Sequence, residues 1–229
     1  MKRNIFLIFV TVALVGIALL SGCSCGVSEP TGRLNGYGYV DLGLPSGTLW
    51  ATCNVGAASP KEYGDYFAWG ETTTKKIYNW RTYKYCSGDY NTLTKYCKNA
   101  DYGSDGFTDA LTILETSDDA ATANWGAGWR MPTKDDWEEL KSKCKWTCMS
   151  NGYKVVGPNR NSIFLPTAGC RRDSTLYSAG SDGYYWSSSL DLGYQYYAWN
   201  LYFYSDDCIV DYLRSYGRSV RPVCKSTQN

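Results

Sequence analysis

Residues 194–204 read YQYYAWNLYFY, and their side chains alternate between two sets. The odd positions are bulky and mostly apolar: Tyr197, Trp199, Leu201 and Phe203. The even positions are Tyr194, Tyr196, Ala198, Asn200, Tyr202 and Tyr204. A period of two is typical of a β-strand with two different faces. The sequence therefore predicts that the odd face packs against the core and that the even face presents aromatic rings to solvent.

The surrounding region is rich in tyrosine, because ten of the 21 tyrosines fall within residues 171–217. Tyrosine offers a large rigid surface with a hydrogen-bonding tip, and antibody binding loops use it for that reason. Since exposed aromatic clusters often mark interaction sites, we expect a ligand-binding surface here. Its predicted residues are Tyr194, Tyr196, Asn200, Tyr202, Tyr204, Tyr212, Arg214 and Tyr216. The alternative is that these tyrosines fill the core and cover the sheet faces, as their β-propensity favours.

Other segments also predict strands joined by turns. They are residues 37–44 and 48–53, which flank a turn at Pro45-Ser46-Gly47, residues 162–165, residues 208–213 and residues 219–223. Pro222 lacks a backbone N–H, which favours an edge or terminal position for the last strand. Residues 75–106 are polar and tyrosine-rich and have no steady period. They predict a long loop region held by aromatic packing or by a disulfide between Cys86 and Cys97.

Two segments predict helices. Ser117, followed by two aspartates, predicts the N-terminal cap of a short helix that ends near Asn124. Thr133 predicts the cap of a helix over residues 134–144, because its hydroxyl can accept a hydrogen bond from the amide of Asp136. The apolar face of that helix consists of Trp137, Leu140 and Cys144.

The N-terminus predicts export. Lys2 and Arg3 precede an uncharged run of sixteen residues, 5–20, and LSGC at residues 20–23 follows. A basic start, a short apolar run and a small-residue cleavage site are typical of a secretory signal, and the run is shorter than the roughly 20 residues that span a bilayer. LSGC resembles the lipobox of bacterial lipoproteins, which implies cleavage before Cys23 and lipid attachment to its thiol.

These features predict three parts: a lipoprotein signal peptide at residues 1–22, a lipid-attached tether at residues 23–33 and a single domain at residues 34–225. We therefore expect an outer-membrane lipoprotein of the cell envelope, exposed at the surface. Its contact with the membrane is expected through the lipid anchor alone.

Composition limits the chemistry. The chain has 23 basic and 22 acidic side chains, a formal charge of +1 and no histidine. Removal of residues 1–22 takes away two basic side chains and no acidic one, which brings the charge to −1. Nucleic-acid binding normally needs a basic excess, so no nucleic-acid partner is expected. Without histidine the usual Ser/His/Asp and Cys/His catalytic arrangements are excluded. We expect no cofactor and, since no CxxC pair is present, no metal site.

The cysteines leave two alternatives open. Apart from Cys23 and Cys25, eight remain in the predicted domain: Cys53, Cys86, Cys97, Cys144, Cys148, Cys170, Cys208 and Cys224. In an exported protein they are enough for up to four disulfides. Alternatively, several are buried free thiols, a frequent role of unpaired cysteine. Elsewhere, Arg171 and Arg172 are candidates for charge-assisted contacts with acidic groups of a ligand.

Several blocks of sequence resemble a known family. In order they are YVDLGLPSGTLWATCNVGA, YGDYFAWGET, DDAATANWGAGWRMPTKDDWEEL, NSIFLPTAG, GYYWSSS and GRSVRPV, which lie within residues 39–223. They resemble the Fibrobacter succinogenes major paralogous domain family, which is common in exported lipoproteins of gut bacteria. The resemblance implies an α+β, C-type-lectin-like fold: a twisted antiparallel sheet with one or two helices, long loops, and paired N-terminal and C-terminal strands.

The same fold occurs in formylglycine-generating enzymes and in the variable proteins of diversity-generating retroelements, so the fold alone does not define a function. The enzymes use a closely spaced cysteine pair late in the domain, whereas Cys208 and Cys224 are 16 residues apart. Calcium-dependent lectins carry ligand carboxylates that Gly157-Pro158-Asn159 and Trp199-Asn200-Leu201 lack. In the retroelement proteins the variable surface comes just before the closing strand, which corresponds to the tyrosine-rich region here.

We therefore expect a binding protein without catalytic activity that presents its C-terminal tyrosines to a glycan or protein ligand. One alternative is a receptor diversified by a retroelement. Another is an enzyme related to sulfatase-modifying factors, with Cys170, Cys208 or Cys224 as a redox centre.

Overall fold

Antiparallel strands and two short helices form the part of the chain that the computed structural model describes, residues 26–204 and 207–225. The predicted signal peptide, Cys23 and Cys25 lie outside these residues, as does the side chain of Cys208. The strands are β1 (Gly32–Leu34), β2 (Tyr37–Asp41), β3 (Thr48–Ala51), β4 (Trp129–Arg130), β5 (Lys145–Met149), β6 (Gly152–Val156), β7 (Ser162–Pro166), β8 (Cys170–Arg172), β9 (Thr175–Tyr177), β10 (Gly183–Leu190), β11 (Tyr197–Phe203), β12 (Asp207–Leu213) and β13 (Val223–Lys225). The helices are α1 (Ala120–Trp125) and α2 (Lys134–Lys143). The coarse prediction of a mixed α and β fold built on antiparallel strands is confirmed.

The first and last strands of the domain meet in one curled sheet, in the order β1-β2-β3-β13-β4. The predicted hairpin is present as β2 and β3, which pair antiparallel. Val223 of β13 pairs with Trp50 on one side and with Arg130 on the other, so the last strand is internal. The expectation of an edge position is therefore wrong. Pro222 lies just before the strand, where its carbonyl accepts the amide of Ala51 at 2.9 Å and no N–H is needed.

A second sheet, β10-β11-β12, is covered on both faces. Leu201 and Phe203 pack into a cluster with Trp137 of α2, as the odd positions of this strand predicted. On the opposite face, Ala198 belongs to a cluster with Trp186 and Trp69. The prediction that the even face meets solvent is therefore wrong in the middle of β11, because the side chain of Arg218 lies there against Asn200.

Helix α2 begins as the sequence predicts. The hydroxyl of Thr133 accepts the amide of Asp136 at 3.1 Å, and the Asp136 carboxylate accepts the amide of Thr133 at 2.8 Å. Trp137 and Leu140 are fully buried, while Cys144 follows the helix as its half-buried C-cap. For α1 the cap is Asp119, not Ser117, because residues 116–118 form a separate 3-10 turn.

The smaller strands form two hairpin units, the sheet β5-β6-β7 and the pair β8-β9. The predicted strand at residues 162–165 is the core strand β7. Ser28 is already bonded to it, because its amide donates to the carbonyl of Ser162 at 3.2 Å and its hydroxyl accepts the amide of Ser162 at 2.9 Å. Gly32 and Arg33, which the sequence assigned to the tether, belong to β1. Packing against the domain thus begins before residue 34.

Residues 75–106 contain short 3-10 turns and isolated bridges rather than strands. Aromatic packing holds this long loop, since the rings of Tyr83, Tyr85 and Tyr96 contact one another edge to face. The thiols of Cys86 and Cys97 donate to the carbonyl groups of Trp80 and Asn99, both at 3.1 Å, and do not form a disulfide.

Every cysteine whose side chain the structure describes is a free thiol: Cys53, Cys86, Cys97, Cys144, Cys148, Cys170 and Cys224. Of the two alternatives that the sequence left open, these seven side chains follow the second, free thiols. Separately, none of the helices within residues 26–204 and 207–225 is long and apolar enough to cross a membrane.

Candidate functional site

Tyrosines from three separate parts of the chain meet around Tyr196. Its ring centroid lies 4.5 Å from that of Tyr197, 5.2 Å from those of Tyr90 and Tyr102, and 5.9 Å from that of Tyr194. Desolvation within this group, followed by the neighbouring phenol groups, raises the pKa of Tyr196. Its hydroxyl therefore stays protonated at neutral pH and can both donate and accept hydrogen bonds.

The cluster continues along β12. Tyr197 stacks on Tyr212 with centroids 6.4 Å apart, and Tyr212 contacts Tyr216 at 5.9 Å. We call the combined set the tyrosine surface: Tyr90, Tyr102, Tyr194, Tyr196, Tyr197, Tyr212 and Tyr216. Four of its members, Tyr194, Tyr196, Tyr212 and Tyr216, are residues that the sequence predicted.

Arg172 closes one end of the tyrosine surface. Its guanidinium carbon lies 5.2 Å from the ring centroid of Tyr216 and 5.7 Å from that of Tyr212, and its Nη2 donates to the Tyr212 hydroxyl at 3.2 Å. Tyr177 of β9 contacts the same guanidinium at 5.5 Å. Arg171 points elsewhere, over the ring of Tyr66. Of the two candidate arginines, only Arg172 belongs to this surface.

The loop that carries Tyr194 is fixed by a carboxylate. Asp191 Oδ1 accepts the amides of Gly193 at 2.6 Å and of Tyr194 at 2.8 Å. The ring of Tyr194 is held outward and is 53% exposed. The backbone of this loop is thus ordered while its aromatic side chain remains available for contact.

Arg214 was predicted to touch the ligand, but it is fully buried, so that prediction is wrong. Its Nη1 donates to the carbonyl groups of Tyr96 at 2.9 Å and Gln195 at 2.8 Å, and its Nη2 donates to the carbonyl of Lys95 at 3.0 Å. Its Nε donates to the hydroxyl of Tyr83 at 3.0 Å. Arg214 therefore positions the tyrosine surface from below, by joining the long loop to the loop of Tyr194.

Asn200 is also fully buried, so its predicted contact with a ligand is wrong as well. Its Nδ2 donates to the carbonyl of Val210 at 2.7 Å, and its Oδ1 accepts a hydrogen bond from Arg218. The guanidinium of Arg218 lies among the rings of Tyr184, Trp186 and Tyr212, 4.3 to 4.9 Å from their centroids. Burial lowers the pKa of Arg218 to about 10. This arginine fills the even face of the sheet, which is why Asn200 does not reach solvent.

Tyr202 and Tyr204 lie apart from the other predicted residues. Eight residues of extended chain separate Tyr196 from Tyr204, which corresponds to about 26 Å. Tyr202 packs against Tyr184 with centroids 4.8 Å apart, and its hydroxyl is 3.5 Å from Asp182. Tyr204 is 60% exposed. The predicted row of tyrosines is therefore divided between the two ends of β11.

Sequence reasoning missed three members of the tyrosine surface and the neighbouring Tyr177. Tyr197 was assigned to the core because it occupies an odd position, yet it is half-buried. Tyr177 lies on the separate hairpin β8-β9, and nothing local marks it. Tyr90 and Tyr102 belong to the long loop, where the only signal was its high tyrosine content.

A cleft of about 390 Å³ adjoins this surface at Trp199. The Trp199 side chain, predicted to lie in the core, is half-buried, and the ammonium of Lys134 sits 3.7 Å from its ring centroid. Residues that line the cleft include Thr112, Ile113, Lys134, Asp135, Ser189, Asp191, Leu192 and Trp199. A larger cleft of about 620 Å³ lies between residues 27–38 and residues 57–61, beside the stacked rings of Tyr37 and Trp125.

The proposed redox cysteines differ from an exposed, reactive pair. Cys170 and Cys224 are buried free thiols, and burial raises the pKa of Cys224 to about 11, which keeps it protonated at neutral pH. The Cys208 side chain lies outside the described residues. Among the residues that the structure describes, no three potential metal-ligating side chains come together.

Comparisons with protein-family models, with curated proteins and with solved structures returned no match for this chain.

Proposed function

We propose that this chain is an exported, lipid-anchored protein that binds a glycan or protein ligand through the tyrosine surface and carries out no chemistry. The observation that supports the proposal is the convergence of Tyr90, Tyr102, Tyr194 and Tyr197 on the ring of Tyr196. Rigid rings with polar tips bind partners at a low cost in conformational entropy. Because Arg214 and Asp191 order the backbone beneath them, little further ordering is needed on binding.

The proposal includes a C-type-lectin-like fold and a position at the cell envelope. Two observations support the fold: β3 pairs with β13, and α2 packs against the second sheet. Supporting the location is the lipobox-like sequence at residues 20–23. The domain begins close behind it, since Ser28 is already bonded to β7.

The proposal is tested with the whole lipoprotein in detergent micelles on glycan and protein arrays. We expect Tyr196→Ala to weaken binding by about tenfold or more, because Tyr196 contacts four other rings at the centre of the surface. Tyr204→Ala is the control, since Tyr204 is a tyrosine that is 60% exposed and lies at the other end of β11. Equal binding by the wild type and by Tyr196→Ala would remove the assignment of the site.

A further inference from the structure

Two segments of the chain line the cleft at Trp199: residues 112–113 and residues 191–193. Residues 112–114 are fixed to the end of β10, because the amide of Leu114 donates to Ser188 and the amide of Leu190 donates to Thr112, both at 2.9 Å. Leu192, in the loop that Asp191 holds, also lines the cleft. Gly193 also lines the cleft, and the next residue of the chain is Tyr194 of the tyrosine surface.

The rim of the cleft is aliphatic. Ile113 is 50% exposed and Leu192 is 59% exposed, and both line the cleft. Tyrosine side chains can bind glycan and protein ligands equally well. An aliphatic side chain, by contrast, cannot form a hydrogen bond with a sugar hydroxyl. Exposed apolar groups around a concavity favour a ligand that buries apolar atoms there. The cleft volume of about 390 Å³ is within the range of small binding pockets, roughly 300 to 1,000 Å³.

The mouth of the cleft carries an acidic excess. Asp135 and Glu138 lie on one face of the first turns of α2, and both are exposed. The nearby cation is Lys134, which is already engaged: its ammonium lies over Trp199 and 3.5 Å from Glu138 Oε1. Asp135 therefore faces solvent at the cleft with its charge available to a cation of the ligand.

We propose that the ligand of this site is a polypeptide that places a bulky apolar side chain between Ile113 and Leu192 and an adjacent basic residue against Asp135. This inference rests on the proposed function and names the class of its ligand. Ile113 and Leu192 select the apolar side chain, the carboxylate of Asp135 selects its basic neighbour, and the tyrosine surface contacts the remainder of the segment.

The probe is a library of random peptides displayed on phage, selected on the wild-type lipoprotein in detergent. Enriched peptides are synthesised, and their affinity is measured by fluorescence anisotropy. We expect them to share an apolar residue next to a lysine or arginine. Leu192→Ser is expected to weaken their binding about tenfold, as is replacement of the apolar peptide residue by alanine. Asp135→Asn is expected to weaken it about threefold, and this difference should vanish at about 0.5 M salt.

Leu176→Ser is the matched control, because Leu176 is an exposed leucine of β9 outside the cleft. All these positions are exposed, so the variants are expected to fold, and circular dichroism checks this. The inference is overturned if no peptide is enriched, if the peptides lack the apolar and basic pair, or if Leu192→Ser binds them as the wild type does. It is also overturned if a glycan is bound through Tyr196 instead.

The Leu192→Ser and Tyr196→Ala variants distinguish a failure of the cleft inference from a failure of the proposed function. If Leu192→Ser weakens peptide binding while Tyr196→Ala does not, the cleft binds peptides but the tyrosine surface is not its binding face. If Tyr196→Ala abolishes binding while Leu192→Ser has no effect, the tyrosine surface stands and the cleft inference fails.

Discussion

Arg214 donates a hydrogen bond of 2.8 Å to the main-chain carbonyl of Gln195, the residue between Tyr194 and Tyr196. The main-chain amide of this buried arginine also donates to the carbonyl of Tyr196 at 3.1 Å. Arg214 thus fixes the backbone that carries these two tyrosines. The same Nη1 atom also binds the carbonyl of Tyr96 in the long loop. The alignment of the tyrosine surface therefore depends on a residue with no access to the ligand.

Arg214→Lys is expected to disrupt this arrangement. Lysine keeps the charge but cannot reproduce the fork of donors that reaches four partners. We expect a loss of about 2–4 kcal/mol in the free energy of unfolding, measured by urea denaturation, because buried carbonyl groups lose their donors. Ligand binding should also weaken under conditions in which the variant is folded. Unchanged stability and binding would show that the long loop is held by other contacts.

The capping carboxylate of α2 predicts a pH dependence. Burial alone would raise the pKa of Asp136, but the hydrogen bond and charge of Arg130, with the hydrogen bonds of Thr133, lower it below its usual value. Because the folded-state pKa is depressed, the stabilisation is present above the unfolded pKa of about 3.9 and is lost as the pH falls through the folded value.

Asp136→Asn tests this relationship. We expect it to lower the free energy of unfolding at neutral pH by about 2 kcal/mol, since the partly buried ion pair with Arg130 is lost and the capping box with Thr133 is weakened. The stability gap between wild type and variant should narrow on acidification to about pH 3. A gap that is independent of pH in urea titrations would contradict the electrostatic explanation.

Gly183 is expected to be required for the packing of the second sheet. A Cβ atom at this position would overlap the ring of Phe203, which is fully buried. Gly183→Ala should therefore cost about 1–3 kcal/mol through overpacking. Phe203→Leu in the same chain should recover part of that loss, and thermal unfolding of the single and double variants measures the coupling. Strictly additive effects would argue against a direct clash.

The cysteines are expected to differ in reactivity. Cys148 is exposed on β5, whereas Cys97, Cys170 and Cys224 are buried. In the native protein, iodoacetamide should modify Cys148 first and the buried thiols only after unfolding. Each disulfide would lower the mass of the chain by two hydrogen atoms. Mass spectrometry of the unreduced chain should therefore show no such decrease for these four cysteines. Such a loss would contradict the free thiols of the structure.

Local features of the sequence predicted local features of the fold. Thr133 and Asp136 are three residues apart, so their reciprocal capping is readable from the sequence. The buried Leu201 and Phe203 follow from the period of two on β11. In each case the interacting groups belong to one element, and elementary geometry brings them together.

The alternation failed where a distant segment covers the second face. The sequence of β11 does not reveal that Arg218 lies on Asn200, because that contact depends on the path of the chain between them. The role of Arg214 was missed for the same reason, since its partner Tyr83 is 131 residues away. The tyrosines of residues 194–204 were consequently predicted to share one face, whereas Tyr194 and Tyr196 cluster at one end of β11 and Tyr202 and Tyr204 lie at the other.

The guanidinium of Arg214 donates hydrogen bonds to the main-chain oxygen atoms of Lys95, Tyr96 and Gln195, not to the side chains of these residues. Every amino acid supplies the same carbonyl group. The outward residues at the rim, such as Tyr194, are therefore free to be exchanged during evolution while the scaffold beneath is preserved. Under the proposed function, point substitutions at the rim would change the specificity of the protein and leave its stability intact.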